Sequence, residues 1–248
     1  MGKKLATLLR ESSHTVFFGG AGVSTESGIP DFRSKAGLYA AETVYGYPPE
    51  TLLSIDFFMQ KPGLFFRYYR ENLVVKEARP NPAHIALAGL ESRSLLQSVI
   101  TQNVDGLHQA AGSKTVIELH GSNWRHVCIS CGQAYTLTEA LAPARAREDG
   151  VPICALCPGT IRPNVVLYGE MLDESVTASA IAEISAADLL IVGGTSLAVY
   201  PAAGFLQYFR GNNLVLINKS ETPYDHLAQL IIREAIGEVF QETMAHMQ

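Results

Sequence analysis

Four cysteines, the only ones in the chain, stand as two pairs, Cys128-x-x-Cys131 and Cys154-x-x-Cys157. Thiolates two residues apart form one zinc knuckle, and two knuckles supply the four ligands of a closed tetrahedral site. Disulfides are disfavoured in a reducing compartment, and a redox dithiol needs only one pair. A catalytic zinc keeps an open position and uses His or carboxylate ligands, so this site is expected to hold the fold and do no chemistry.

A second stretch with chemical potential is Gly19-Gly20-Ala21-Gly22-Val23-Ser24-Thr25-Glu26-Ser27-Gly28-Ile29-Pro30-Asp31-Phe32-Arg33. Glycines let the main chain approach a ligand closely, so successive N–H groups can cradle a pyrophosphate at a helix start. The dinucleotide fingerprint G-x-G-x-x-G is only half met, because Thr25 stands at the third glycine position and no acidic residue follows at an obvious strand end about 20 residues on. Taken alone the loop is a tight turn or a phosphate cradle. Its second half puts a proline, an acid, an aromatic and an arginine into one loop, which is either an ordered loop closed by an Asp31–Arg33 ion pair or a lid over a nucleotide.

The elements that must position these residues alternate. Thr15–Phe18, Leu95–Ile100, Val116–Leu119, Ile161–Glu170, Asp188–Val192 and Leu214–Ile217 read as strands. Helical patterns cover Ala83–Glu91, Glu174–Ala187, Phe205–Arg210 and Leu227–His246, with a helix-like Leu137–Glu148 between the knuckles. Two further helices on aromatic faces are expected between Leu52 and Lys76, where Phe57-Phe58, Phe65-Phe66 and Tyr68-Tyr69 cluster around Pro62-Gly63. Uniformly apolar strands alternating with helices predict an α/β protein with a parallel sheet covered on both faces. Several strands end in polar or glycine-bearing clusters: Gly20-Ala21-Gly22, Gln102-Asn103-Val104-Asp105, His120-Gly121, Gly194-Thr195-Ser196 and Asn218-Lys219-Ser220. Those clusters would line one edge of the sheet, where such sheets bind ligands.

The 248 residues allow one large domain or a large and a small one. A hydrophobic content of 47% and a mean hydropathy of +0.11 indicate a real core. Net charge is -5 and pI about 5.8, which argues against a nucleic-acid binder that neutralises phosphates. No stretch approaches the apolar length of a membrane span, and the lysines near the N-terminus precede an amphipathic helix rather than a signal peptide. No membrane partner and a cytoplasmic location are therefore expected.

Taken together and in this order, the Gly20-Ala21-Gly22-Val23-Ser24 and Gly28-Ile29-Pro30-Asp31-Phe32-Arg33 segments, Thr101-Gln102-Asn103-Val104-Asp105, His120-Gly121, the paired knuckles, Gly194-Thr195-Ser196-Leu197 and Asn218 resemble the sirtuins, the NAD-dependent protein-lysine deacylases, in a compact bacterial form. The likeness runs from Thr15 to about Val239. It implies a Rossmann-like NAD-binding domain from residues 1–33, 82–122 and 160–248. A smaller domain would come from a helical insertion, 34–81, and a zinc-binding insertion, 123–159.

By the family's pattern Gly20, Ala21, Gly22 and Thr25 approach the phosphates, while Asp31, Phe32, Arg33 and Tyr39 cover the cofactor. Gln102, Asn103, Val104 and Asp105 hold the nicotinamide ribose and carboxamide, Gly194, Thr195 and Ser196 take phosphate and ribose oxygens, and Asn218, Lys219, Ser220 and Ile236 meet the adenosine end. His120 is the general base, since imidazole titrates near neutral pH and can take a proton from a ribose hydroxyl. Asn103 and Asp105 complete the catalytic set. One zinc ion on the four cysteines and NAD are the implied cofactors, and acetylated-lysine proteins or peptides the partners. The peptide would add as a strand between Val165–Glu170 and Leu197–Pro201, with Val165, Val166, Tyr168, Gly169, Glu170, Leu197 and Val199 as contacts. Where many members have Phe, this chain has Tyr168, whose hydroxyl needs a partner if buried.

The implied reaction joins the acyl oxygen to the ribose, and His120 then drives transfer of the acyl group to give free lysine, nicotinamide and O-acyl-ADP-ribose. Members that remove succinyl or malonyl groups carry a Tyr-x-x-Arg pair, and the corresponding positions here are Phe66 and Tyr69, so acetyl and other neutral acyl groups are expected. A mono-ADP-ribosyltransferase would share the cofactor motifs without needing His120 or an acyl tunnel. A non-catalytic NAD-binding or zinc-stabilised module would have no use for His120, Asn103 and Asp105 together.

Overall fold

The structure, a computed structural model, describes residues 1–30, 42–198 and 201–247. Six strands form the main sheet: β1 (Thr15–Gly19), β2 (Ser98–Thr101), β3 (Val116–Glu118), β7 (Leu189–Gly193), β8 (Asn213–Ile217) and β9 (Leu230–Ile232). All its pairings are parallel, in the order β3-β2-β1-β7-β8-β9. Alternate residues of each strand face opposite sides, and both sides are covered, so β1 and β7 are buried along their whole length. Phe17, Val99, Ile191 and Val215 pack under the helices Gly2–Glu11, Pro82–Ser92 and Ile236–Ala245. Val16, Phe18, Ile100, Leu190 and Val192 pack on the other side, against the helix Glu174–Ala186 and the 3-10 segment Ala202–Tyr208.

Register places the site. Gly19 stands opposite Thr101 on one side and Gly193 on the other, Gly193 opposite Ile217, and Thr101 opposite Glu118. The residues that follow, at 20, 102, 194, 218 and 120, therefore emerge together at one edge. From β1 the chain steps outward to β2 and β3, then returns to the opposite flank for β7 to β9, and this reversal of strand order opens a crevice at the carboxyl ends.

The second sheet is antiparallel, in the order β5-β4-β6, from β4 (Gly121–Cys128), β5 (Ala134–Thr136) and β6 (Ile161–Val165). This corrects the reading of Ile161–Glu170 as part of the main α/β alternation. Its first half pairs with β4, and the reason is visible in its sides: Ile161, Pro163 and Val165 are buried while Arg162 and Asn164 are not, the alternation of a strand covered on one face. The helix expected over Leu137–Glu148 is a single turn, Leu137–Ala140, held by a reciprocal Thr136–Glu139 cap and followed by a 3-10 turn that begins at Pro143. The helix expected from Leu227 is β9 followed by Ile236–Ala245. Between residues 49 and 73 lie the helices Pro49–Leu52, Ile55–Gln60 and Pro62–Tyr68 and a π turn, Tyr69–Leu73. They enclose an aromatic core in which Phe65 meets Phe66 edge-on at 5.2 Å and Phe58 at 5.1 Å. The Arg70 guanidinium donates to the Gly150 carbonyl, fastening this helical block to the zinc-knuckle segment.

Candidate active site

Two loops at the sheet edge interlock through their backbones. Gly20 N–H donates to Gly193 O at 3.2 Å and Gly22 N–H to Gly194 O at 2.8 Å. Gly194 has φ +60°, and a Cβ there would lie 2.4 Å from Val23 N. A Cβ on Gly22 would lie 2.7 Å from Gly194 Cα. The loop then runs as two 3-10 turns, Ala21–Val23 and Thr25–Ser27, and leaves through Gly28 at φ +81°. With Thr25 in place of the third glycine, the segment from Ala21 to Ser27 is 3-10 turn rather than α-helix, so backbone N–H groups of turns form the rim.

Beneath that rim lies a polar network whose hydrogen bonds have defined directions. Asn81 caps the helix Pro82–Ser92, its Oδ1 accepting from Ala83 N–H at 2.9 Å, while His84 Nδ1 accepts from Asn81 N–H at 3.3 Å. An imidazole that accepts at Nδ1 carries its proton on Nε2, which faces Ser24 Oγ at 3.5 Å. Asn103 Nδ2 donates to the same hydroxyl at 3.1 Å and to Gly20 O at 3.1 Å, and Ser24 in turn donates to Asp105 Oδ2 at 2.7 Å. Burial pushes the Asp105 carboxyl up from its ordinary value, opposed by bonds from Leu107 N–H and Ser24. Burial drives His84 down to about 4 and its neighbour His108, with ring centroids 4.7 Å apart, down to about 3. Ser24 stands in the glycine segment that carries the family resemblance, where the sequence gives it no role, and the signal for Asn81 and His84 is the Asn81-Pro82-x-His84 capping pattern.

His120 Nδ1 lies 2.8 Å from the Gln102 carbonyl. A carbonyl only accepts, so Nδ1 carries the proton and the basic lone pair lies on Nε2. Gln102 Nε2 donates to Thr195 Oγ1 at 3.2 Å, joining the β2, β3 and β7 exits.

Two cavities, of about 180 and 220 Å³, adjoin along Leu53, Leu73, Gln102, Val104 and Tyr168. The first is lined by Ala21, Ser24, Asn103 and Asp105, the second by His120, Val165, Val166, Gly169, Glu170 and Pro201. Neither has a lysine or arginine in its wall among the described residues. Phe66 and Tyr69, the positions expected for the acyl-reading pair, are fully buried in the aromatic core instead; Leu53 and Leu73 are the residues of this block that line both cavities.

The segment after β6 forms the outer wall. Tyr168 N–H donates to Leu53 O and Ile55 N–H to Tyr168 O, both at 3.0 Å, so its backbone is already paired with the helical block. Val166 N–H donates to His120 O at 2.9 Å. The Arg162 fork grips Glu170 at 2.6 and 2.8 Å, and Glu170 Oε2 also accepts from Leu167 N–H at 2.8 Å. Burial works against that carboxylate, but the Arg162 bonds prevail and hold its pKa below the usual range. The Glu170 side chain thus closes the turn carrying Tyr168 and Gly169. Tyr168 itself is 40% exposed, so its hydroxyl needs no protein partner.

At the far end, Asn218 Nδ2 donates to Ser220 O at 2.9 Å and Arg233 Nη1 donates to both Asn218 O and Ser220 O, a support the sequence reading missed. Lys219, Ser220, Ser196 and Thr25 are exposed. The Ile236 and Leu197 side chains are buried in the two apolar cores, leaving their backbones as the groups nearest the edge. Asp31, Phe32, Arg33, Tyr39 and Val199 lie outside the described residues.

The four cysteine sulfurs all lie within 4.8 Å of one another, with Cys128–Cys157 at 3.5 Å and Cys131–Cys154 at 3.6 Å. Tetrahedral zinc with bonds of about 2.3 Å spaces its sulfurs about 3.8 Å apart, so the donor set fits one such ion. Tyr135 Oη and Leu156 N–H approach Cys154 Sγ at 3.0 and 3.3 Å, orienting it as outer hydrogen bonds do around metal thiolates.

Comparison with known proteins agrees with this geometry. Residues 20–201 match the Sir2 family model. A curated NAD-dependent protein deacetylase of Clostridium acetobutylicum is 51% identical over 238 residues, covering 96% of each chain. A solved Sir2 with a p53 peptide and NAD+ superposes with a TM-score of 0.88 at 40% identity, covering 99% of this chain and 98% of that one. A second Sir2 structure, holding 2′-O-acetyl-ADP-ribose and a deacetylated p53 peptide, gives 0.84 at 40% identity over 98% and 97%.

Proposed function

The chain belongs to the Sir2 family, and from that premise we propose that it is an NAD-dependent protein-lysine deacetylase that moves a neutral acyl group to ADP-ribose. One observation carries this reading. The cavity holding Ser24, Asn103 and Asp105 and the apolar cavity holding His120 share Gln102 and Val104, so a dinucleotide and an acylated side chain entering separately would meet at one wall.

NAD supplies the departing nicotinamide and the sugar that accepts the acyl group. The protein's own residues do the rest. The Gly20–Gly22 turn and Thr195 receive the phosphates, and Gln102, Asn103 and Asp105 orient the nicotinamide half. His120, with Nδ1–H bonded to Gln102 O, takes a ribose hydroxyl proton at Nε2. Asn218, Lys219, Ser220 and the backbone at Ile236 meet the adenosine, and Asp31, Phe32, Arg33 and Tyr39 cover the cofactor. The four cysteines hold one structural zinc.

The peptide lies along Val165, Val166, Gly169 and Glu170 on one side and Leu197 and Val199 on the other. Since Tyr168 has both backbone groups engaged, Gly169 and Val166 O are the pairing groups on the first side. The apolar walls Leu53, Leu73 and Val104 favour uncharged acyl groups, because a succinyl carboxylate would be buried there without a cation among the described residues. The NAD-binding part is 1–33, 82–122 and 160–248, with 34–81 and 123–159 forming the smaller part. No described helix is long and apolar enough to cross a membrane, and we place the enzyme in the cytoplasm.

The test is mass spectrometry of products from NAD and a panel of acyl-lysine peptides. Free lysine, nicotinamide and O-acyl-ADP-ribose from acetyl-lysine, with succinyl-lysine turned over at least tenfold less, is the expected outcome. Label from NAD stably attached to protein would instead favour mono-ADP-ribosyl transfer.

A further inference from the structure

The sole tryptophan of the chain stands where β4 leaves the sheet edge on its way to Cys128. Its indole Nε1–H donates to the Asp105 carbonyl at 2.7 Å. The ring lies so close to Gly106, at φ +73°, that a Cβ there would be 2.6 Å from Nε1 and 2.7 Å from Cδ1. Asn123 beside it is 4% exposed and makes two more ties: its N–H donates to Val104 O and its Nδ2 to Leu73 O, both at 2.9 Å. Val104, Asp105 and Leu73 are all cavity-wall residues. Three bonds from two consecutive residues therefore reach three wall positions on two separate chain segments.

From this geometry we infer that Trp124, aided by Asn123, is a positioning residue for the NAD pocket, fixing the Val104–Gly106 backbone so that Asp105 presents its carboxylate at a set point. The Asp105 carboxylate is already tied by Ser24 and Leu107 N–H; the indole bond fixes the peptide behind it. A group held from both ends cannot rotate out of the pocket when the cofactor enters, and that preorganisation reduces the ordering cost of binding. Trp124 is 48% exposed, so removing its N–H leaves no large void in the core. The inference rests on the NAD-binding reading given above and adds a residue to it that acts through the backbone of another.

The experiment uses the full-length, zinc-loaded protein and the variant Trp124→Phe, which keeps a ring over Gly106 and loses the donor. Loss of one hydrogen bond at the pocket wall should raise the KM for NAD roughly three- to tenfold. The KM for acetyl-peptide, the zinc content and the melting temperature should stay at wild-type values. An unchanged KM for NAD overturns the inference, and so does a rise in both KM values together with a fall in Tm, the mark of a merely structural residue. Should the variant fail to fold, amide hydrogen exchange of the wild type supplies the answer: Asp105 and Gly106 amides protected before NAD is added and little altered by it support the inference, and amides that become protected only on NAD binding overturn it. A wild type that shows this protection and binds NAD but makes no deacetylated product would sink the deacetylase reading while leaving this one standing.

Discussion

Replacing Gly194 with alanine separates a conformational cost from a steric one. The residue sits at φ +60°, and any L side chain there loses about 1–2 kcal/mol. Gly46, at φ +76° with nothing within 4 Å of its virtual Cβ, bears the same conformational cost alone, so Gly46→Ala is the control. In Gly194→Ala the new carbon would also lie 2.4 Å from Val23 N and 2.6 Å from Gly22 C, main-chain atoms that cannot swing away as a side chain would. Restoring ordinary contact needs a shift of about 1 Å in the glycine loop, and overpacking of this kind adds about 1–3 kcal/mol. For a chain of this size each kcal/mol lowers Tm by roughly 2–4 °C. Gly46→Ala should therefore lose roughly 2–8 °C and Gly194→Ala about twice as much. The functional effect should be larger still, because a displacement of about 1 Å in a substrate-positioning loop can cost about 100-fold in kcat/KM. Differential scanning calorimetry and steady-state deacetylation with varied NAD measure both. If Gly194→Ala melts with Gly46→Ala and retains wild-type kcat/KM for NAD, the interlocked-loop account of the cofactor rim is wrong.

Exchanging His120 for alanine should lower turnover by roughly 100- to 10,000-fold, the usual worth of a general base, while calorimetric NAD binding and zinc content persist; substantial residual turnover would reassign the base. Stripping zinc with a chelator, or Cys154→Ser, should unfold the β4–β5–β6 sheet, since structural zinc contributes on the order of 10 kcal/mol in small metal-held units; retained near-ultraviolet circular dichroism without metal would contradict this. Acid should destabilise the fold early. His84 and His126 are held down to about 4 and His108 to about 3, each by burial, so the unfolded chain takes up protons near pH 6.5 while the folded one refuses them. The stability these rings contribute is complete above pH 6.5 and is lost as pH falls toward 4, at up to about 1.4 kcal/mol per pH unit for each ring. A melting temperature that stays flat between pH 6.5 and 5 would rule out neutral burial of these three histidines.

The parts legible in the sequence were those in which residue type alone dictates geometry. Gly20 and Gly22 announce close approach of the main chain, the cysteine spacing announces a tetrathiolate, and uniformly apolar strands announce a sheet covered on both faces. Less legible were the places where one residue serves a neighbour distant in the chain. Ile161–Val165 alternates buried and less buried positions, a sign of one-sided burial carried by Arg162 and Asn164 and obscured by the apolar Val165-Val166-Leu167 run that follows. Nothing in the local sequence tells that Arg162 closes the turn at Glu170, that Arg233 steadies Asn218, or that His84 faces Ser24. Those contacts are created by folding, and they concern orientation rather than the presence of a reactive group. Phe66 and Tyr69 belong with these, because their rings are drawn into the aromatic core with Phe58 and Phe65 while Leu73, at the end of the π turn, lies at the cavity.

The pairing of Tyr168 with Leu53 and Ile55 bears on how this enzyme could be re-engineered. Because the helical block and the outer wall share main-chain bonds, Leu53 and Tyr168 are held in fixed relation to one another. On the acyl-tunnel reading proposed above, the Leu53–Tyr168 side of the bore should keep its shape through turnover. Leu53, Leu73 and Val104 line that cavity, so on the same reading trimming one of these side chains is the direct route to accepting a longer acyl group.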